Sequence, residues 1–358
     1  MTGAGYHEIS EILRREILNG KYDQPKTLPS EFSLARRFKV CRPTVSRAMM
    51  ELSHAGLVVR RKGAPTVLSR FARNASGCMG LIIQGRLNAV DVYPRVGRRL
   101  VELAERSGWK VLTCAITATA KRARIQELRE IIERFREEHV TGVFFQPVEC
   151  MVGADRFNID LVSRIERAGM RITLLDYDIV RLPGRSAYDL VGMDNFAAGY
   201  AMGVHLVDRG VCRAVFLKMP YAAPSVEDRL RGIICAFQEK LGTQDLRRNL
   251  TVCDPSDAAK VYGIVKRFRA DAVVAYNDAC ALSVCAGVRK IGVCLEQVAK
   301  VVGFDDISSS EAELLPLTTM RQDADSIAET AFHTLVSRIK SPRLPPRRIL
   351  LPFKLVER

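Results

Sequence analysis

Apolar positions in the first 70 residues repeat at helical spacing. Ile9, Leu13, Ile17 and Leu18 share one face and predict a helix over 6–19, ended at Gly20. Pro29-Ser30 opens a second helix, with Ser30 as N-cap and Leu34, Ala35 and Phe38 as its apolar stripe. A third begins near Arg42, and Pro43 fits its first turn because the missing N–H costs nothing there. On that helix Val45, Ala48, Met49, Leu52 and Ala55 face inward, while Pro43, Ser46, Arg47 and Met50 face out, with Arg42 and Thr44 at the rim. Gly56 stops it. Two short apolar runs, 57–60 and 65–68, then predict a hairpin about Lys62-Gly63.

Residues 69–78 break the periodicity and read as a linker. Beyond them, strands over 79–84, 110–115, 142–146 and 172–175 alternate with helices over 93–107, 122–138 and 158–168. The rhythm restarts with a strand at 190–193 and a helix at 195–209. It continues with strand 214–217, helices 226–241 and 256–268, strand 272–276, helix 278–290 and strand 300–303. Alternating strands and helices mean βαβ units around parallel sheets. The expected fold class is therefore α/β: an N-terminal winged helix-turn-helix over 1–68, a linker over 69–77, and two doubly wound parallel-sheet subdomains with a ligand cleft over 78–358. At 358 residues the chain is too long for one core.

Charge sharpens the division. Residues 1–76 hold 14 Lys/Arg and 6 Asp/Glu, a net +8, against +7 for all the rest. A small basic unit suits a polyanion. Ten cysteines are scattered without zinc spacing, most of them in apolar runs, which suits buried thiols in a reducing cytosol. No metal, no cofactor and no catalytic residue is expected. The first residues form no secretion signal, and no apolar run approaches 18 residues, so the protein is expected to be cytoplasmic and to have no membrane partner.

Two sets of residues carry candidate chemistry. The outward face of the third helix offers Arg, Thr, Ser and Arg, the side chains that reach guanine edges and phosphates. The hairpin tip adds Arg60, Arg61, Lys62 and Gly63, where glycine lets the backbone approach a phosphate. In the larger part, ligands of doubly wound sheets bind beyond the strands' carboxyl ends. Asp176, Asn277, Asp278 and Asp305 stand at such ends and Arg229 near a helix start; together they can clamp hydroxyl groups, and no nucleophile–base pair is evident among them.

Residues 6–68 resemble the winged helix-turn-helix of the GntR family, through Leu28-Pro29-Ser30-Glu31, Thr44-Val45-Ser46-Arg47-Ala48 and Gly56-Leu57-Val58 in the family's order. The resemblance implies DNA contacts by Arg42, Thr44, Ser46, Lys62 and Gly63; Pro43, Arg47, Arg60 and Arg61 complete the expected set. Phe32 stands where the family often has Arg, Ser46 where it often has a second recognition Arg, and Cys41 where Ser or Thr usually caps. Base preference therefore does not transfer.

Residues from about 78 to 356 resemble the LacI/GalR regulatory domain, which has a periplasmic-binding-protein-like fold of type I. The matching segments are Val191-Gly192-Met193-Asp194-Asn195, Arg229-Leu230-Arg231-Gly232, Asn277-Asp278, Val302-Gly303-Phe304-Asp305-Asp306 and Leu317-Thr318-Thr319-Met320-Arg321-Gln322-Asp323. That resemblance implies effector contacts by Asp176, Arg229, Asn277 and Asp305. Gln322 and the segment 84–94, with Asp91 and Tyr93, would complete the pocket. It also implies three crossings between subdomains, one spanning about 78–186 and 318–342 and the other about 187–317 and 343–356. The loop 85–92 carries Arg86, Asn88 and Asp91 in place of the family's Ser and aromatic residues, so the effector's chemistry stays open.

The expected function is a DNA-binding transcriptional regulator, a homodimeric repressor of carbohydrate-utilisation genes on an inverted-repeat double-stranded DNA operator. A small carbohydrate in the cleft would switch its affinity. A purine or other non-sugar effector, or a sensor that no longer binds ligand, remains open. A sugar receptor without regulation would not need residues 1–68, and a hydrolase using Asp176 or Asp305 would need a nucleophile and base.

Overall fold

The computed structural model describes residues 5–18, 21–22, 27–54, 57–60, 64–68, 77–84, 92–117, 121–181, 183–242, 248–307 and 316–358. Its N-terminal unit holds α1 (Tyr6–Leu18), α2 (Glu31–Phe38), α3 (Arg42–His54), β1 (Val58–Val59) and β2 (Val67–Leu68). Ser30 caps α2 by accepting from Ser33 N at 3.1 Å, and α2 ends at Lys39 in a left-handed turn with φ 53°. Ile9, Leu13, Ile17, Leu34, Val45, Ala48, Met49 and Leu52 are all buried and form one cluster. The faces predicted by spacing are thus the faces that pack, each large side chain contributing about 1.5–3 kcal/mol. Strands β1 and β2 pair antiparallel, Val58 opposite Leu68. Asn19, Gly20, Ala55, Gly56 and the linker 69–76 lie outside the described residues.

Two six-stranded sheets build the rest. The first lobe begins with β3 (Cys78–Gln84), α4 (Val92–Arg106), β4 (Lys110–Ile116), α5 (Lys121–Glu137), β5 (Val140–Phe145), α6 (Ala154–Arg167), β6 (Arg171–Leu175) and β7 (Asp189–Met193). The second contains α7 (Asn195–Asp208), β8 (Ala214–Leu217), α8 (Pro224–Leu241), β9 (Leu250–Cys253), α9 (Ala258–Phe268), β10 (Ala272–Ala275), α10 (Asp278–Arg289), β11 (Lys300–Asp305) and β12 (Thr318–Gln322). The chain then returns to the first lobe for α11 (Ala324–Lys340) and β13 (Arg348–Leu351), and β14 (Phe353–Val356) joins the second. Strand orders are β13-β7-β6-β5-β3-β4 and β14-β12-β11-β10-β8-β9. Helices cover both faces of each sheet, so central strands such as β8 are apolar throughout.

The lobe boundaries differ from the expected ones. Strand β7 pairs with β6 and stays in the first lobe, so the first crossing follows Met193 and not residue 186. Strand β12 pairs with β11, so the return follows Gln322 and not residue 317. The last crossing falls at Pro352 and not after residue 342. A strand belongs to the sheet that takes its hydrogen bonds, and alternation of apolar residues does not reveal that partner. With only Pro352 between β13 and β14 there is no room for a crossover helix, and β14 runs antiparallel to β12.

Two contacts fix the geometry around the cleft. Helices α7 and α8 cross backbone to backbone: a Cβ on Gly199 would lie 2.0 Å from Arg229 O, and one on Gly232 2.1 Å from Phe196 O. In the first lobe the fully buried Asp189 of β7 accepts from Arg338 Nε and Nη2 at 2.8 Å and from Arg347 N at 2.8 Å. Those bonds tie the chain's late return to the first sheet.

Candidate functional site

The outward face of α3 is assembled by a carboxylate. Glu31, the first residue of α2, reaches Arg42 Nε at 3.3 Å and Arg60 Nη2 at 2.5 Å. Arg60 also donates to Ser46 Oγ at 3.2 Å and Ser46 O at 3.4 Å, bracing the wing's first strand against α3. Arg42 and Pro43 are exposed, Thr44 and Ser46 half-buried. Arg47 is exposed, but its guanidinium lies 4.1 Å over the ring of Tyr6 on α1. Cys41 precedes the helix with its Sγ 3.0 Å from Thr44 Oγ1, and that hydrogen bond pulls the thiol below its usual pKa. Arg61, Lys62 and Gly63 lie outside the described residues. The face thus offers an exposed Arg42 held by Glu31, Thr44 paired with Cys41, a braced Ser46–Arg60 pair and two exposed apolar side chains, Phe32 and Met50.

Behind the face, Glu16 of α1 binds Arg37 of α2 (Nη1 at 2.7 Å), Tyr22 Oη at 2.6 Å and Lys21. The Arg37 hydrogen bond holds the Glu16 carboxyl down at about 2.

In the cleft the structure brings Tyr93, Asp176, Arg229, Asp305 and Gln322 together. Asp176 follows β6 with φ 74°, and Asp305 ends β11 with φ 109°; both are left-handed positions that cost a side-chain-bearing residue about 1–3 kcal/mol. Gly192 makes room for the first turn, since a Cβ there would lie 2.5 Å from Asp176 O. Arg229, only 5% exposed, donates from Nε to Asn195 Oδ1 at 2.8 Å and from Nη1 to Tyr276 O at 2.5 Å. Its Nη2 lies 3.5 Å from Asp305 Oδ1, and its face stacks on Phe304 at 4.8 Å. Gln322, 3% exposed, donates from Nε2 to Asp305 Oδ1 at 2.6 Å.

Three buried polar atoms there lack a formed hydrogen bond: Tyr93 Oη, Asp176 Oδ1 and Gln322 Oε1. Tyr93 lies beside Asp176, near enough for its hydroxyl to interact with that carboxylate. Burial, then that charge, push the Tyr93 hydroxyl well above its usual pKa. Burial raises Asp176 to about 7, with Glu149 and Asp305 adding to the rise and Arg229 opposing it. Part of Asp176 reaches solvent, but Oδ1 does not. Asn277 caps α10, its Oδ1 accepting from Cys280 N at 2.9 Å. Its neighbour Asp278 is buried on Thr319 Oγ1 (2.8 Å) and Ile307 N (3.2 Å), and burial lifts it to about 8. Asp91 lies outside the described residues.

The sequence reading missed Glu149 and Asn195. Glu149 follows β5, accepts from Ala223 N of the second lobe at 2.9 Å, and is pushed upward by burial. Beside it Cys150 N donates to Tyr221 O at 2.9 Å, also across the cleft. Cys150 (φ 54°) and Tyr221 (φ 59°) are both left-handed. The strand-end rule that selected Asp176 points equally to Glu149. Among the described residues no group of acidic, Cys or His side chains could hold a metal, and no helix is long and apolar enough to cross a membrane.

Residues 5–68 match the bacterial regulatory proteins of the gntR family, and residues 204–358 match the periplasmic binding protein-like domain. The chain is 22% identical over 343 residues to the arabinose metabolism transcriptional repressor of Geobacillus stearothermophilus, covering 94% of this chain and 91% of that one. A LacI family transcriptional regulator from Enterococcus faecium with bound ribose aligns at TM-score 0.61 and 19% identity, over 78% of this chain and 97% of that one. The lac repressor dimer bound to operator and an anti-inducer aligns at TM-score 0.61 and 19% identity, over 79% and 93%. The chain thus joins a segment that matches the gntR family to one that matches the periplasmic binding protein-like domain.

Proposed function

We propose that this chain is a ligand-responsive DNA-binding transcriptional repressor without enzymatic activity, working in the cytoplasm as a homodimer. The rim of α3 enters a major groove, with Arg42 and Thr44 reading bases or phosphates and the wing adding Arg61, Lys62 and Gly63. A hydroxyl-bearing small ligand, a carbohydrate, occupies the space between the lobes and meets Tyr93, Asp176, Asp305 and Gln322. Arg229 keeps Asp305 in place.

The observation that carries the reading is the coexistence, in one chain, of a braced reading helix and a cleft with three buried polar atoms unpaired. Buried polar groups left unpaired cost about 1–3 kcal/mol each, and a ligand that satisfies them recovers it. The ligand favours one arrangement of the lobes and so changes the separation of two reading units in a dimer. A 100-fold change in operator affinity needs about 2.7 kcal/mol of differential binding.

Selection of bound sequences from random double-stranded DNA tests this directly. An inverted repeat with half-sites a helical turn apart is expected, and its affinity should change with one member of a sugar panel. Enrichment of no sequence would remove the regulator reading, and a motif without two-fold symmetry would remove the homodimer.

A further inference from the structure

Phe32 has no place in the core of the reading unit. It is 67% exposed, more than Tyr221 (56%) or Phe196 (47%), whereas Phe38 at the other end of α2 packs against the unit's apolar cluster. A lone exposed apolar residue is ordinary; the position of this one is not. Its neighbour Glu31 takes Arg42 Nε at 3.3 Å and also bonds Arg60, so the first turn of α2 lies against the rim of α3 and the wing's first strand. Arg37, on the opposite flank of α2, turns to Glu16 of α1. At about 100° per residue, Phe32 stands on the flank away from Arg37. Arg36, its neighbour at i+4, is exposed, as are Lys39, Arg42 and Arg47 of the same two helices.

An aromatic ring thus stands uncovered among cations, at the edge of the helix that faces outward. Such a surface suits a partner with phosphates around it and an apolar group at one point. The major groove of DNA presents hydrogen-bond donors, acceptors and a single kind of apolar group, the C5 methyl of thymine. Against any other edge the ring would strip water from polar atoms and return no hydrogen bond. We propose that Phe32 selects a thymine in each half-site of the bound DNA by covering its methyl group, with Arg36 beside it on a phosphate. This rests on the reading of the N-terminal unit as a DNA reader, given above, and adds to it a residue that determines specificity. The ring carries no charge, so it contributes to the choice of base and nothing to the salt dependence of binding.

The test replaces each thymine of the selected duplex, one at a time, with deoxyuracil, which removes the methyl and leaves every hydrogen-bonding atom in place. Anisotropy titration of the full chain reads the affinity. One thymine per half-site is expected at which the exchange weakens binding about fourfold, the ~0.8 kcal/mol of one buried methyl group. Exchanging both symmetry-related positions should give about 16-fold. In Phe32→Ala that thymine becomes indifferent to the exchange, while the other positions respond as in the wild type and the slope of affinity against salt is unchanged. Phe32→Leu, still apolar, keeps a preference for thymine over uracil there. A selected half-site without thymine, a scan with no sensitive position, or a sensitivity that survives Phe32→Ala overturns the proposal. So does a Phe32→Ala chain that loses its dimer in sedimentation without DNA while its uracil scan matches the wild type, which would put the ring between subunits. If selection enriches no sequence, the DNA reader itself falls; if it succeeds and the scan is silent, only Phe32 falls.

Discussion

Glu31 holds Arg42 from the neighbouring helix, Oε2 to Nε at 3.3 Å, while its other oxygen takes Arg60. One acid therefore sets the pose of two cations on the reading face, exchanging some phosphate attraction for order. Glu31→Gln should lower the ratio of specific to non-specific DNA affinity about tenfold, a loss of about 1.4 kcal/mol. Non-specific affinity should hold or rise, because one negative charge has gone. Anisotropy titrations on selected and scrambled duplexes at two salt concentrations separate these effects. Equal shifts on both duplexes would sink the bracing role.

Gly199 admits the carbonyl of Arg229 at a distance no Cβ tolerates. Gly199→Ala must push α8 away from α7 and carry Arg229 off Asp305. A loss of about 1–3 kcal/mol in urea unfolding is expected, together with weakened effector binding. A variant that unfolds with the wild type would show that the helices part freely.

Asp278 is lifted by burial to about 8 in the folded chain, above its unfolded value near 3.8. The folded state therefore holds a proton that the unfolded state has lost. Relative to Asp278→Asn, wild-type stability should be full below about pH 4 and fall as pH rises toward 8, by about 1.4 kcal/mol per unit at most. Denaturant midpoints of both proteins across that window give the slope. A difference that does not vary with pH would mean that Asp278 is ionised in place.

Cys150 and Tyr221 face each other across the cleft through one backbone hydrogen bond. Tyr221→Cys places a second cysteine at the residue whose backbone oxygen accepts from Cys150 N, and a disulfide between the two is the crosslink to be formed. Oxidation should tie the lobes together, alter operator affinity, and be reversed by dithiothreitol. Adding Cys150→Ser should abolish the effect. Operator affinity indifferent to oxidation, with the crosslink confirmed by mass, would show that lobe movement is not what the DNA reader senses.

Much of this architecture is legible in the chain because helix faces and buried strands announce themselves by period. Val45, Ala48, Met49 and Leu52 pack where their spacing puts them, and Ser30 caps where its type suggests. Lobe membership is not so encoded: nothing in the residues of β7 or of β12 names the sheet each joins, and only their hydrogen-bond partners assign them. Short strand β9 escapes for a similar reason, its pattern being mostly half-exposed. At the sites, residue type marked Asp176, Arg229 and Asp305. It did not show that Arg47 would turn onto Tyr6, because a cation's choice between an aromatic ring and solvent depends on the packing of α1 against α3.

The ties from Asp189 to Arg338 and Arg347 have a consequence for synthesis on the ribosome. The reading unit needs nothing beyond Leu68 for its core and can close early. The first lobe, begun at Cys78, lacks an edge strand and a covering helix until Arg348–Leu351 has emerged, long after the second lobe's strands β8 to β12. A nascent chain halted after Gln322 should therefore protect the reader from protease while Asp189 and its strand remain open to cleavage. The DNA-binding end of each molecule is finished before the end that is to govern it.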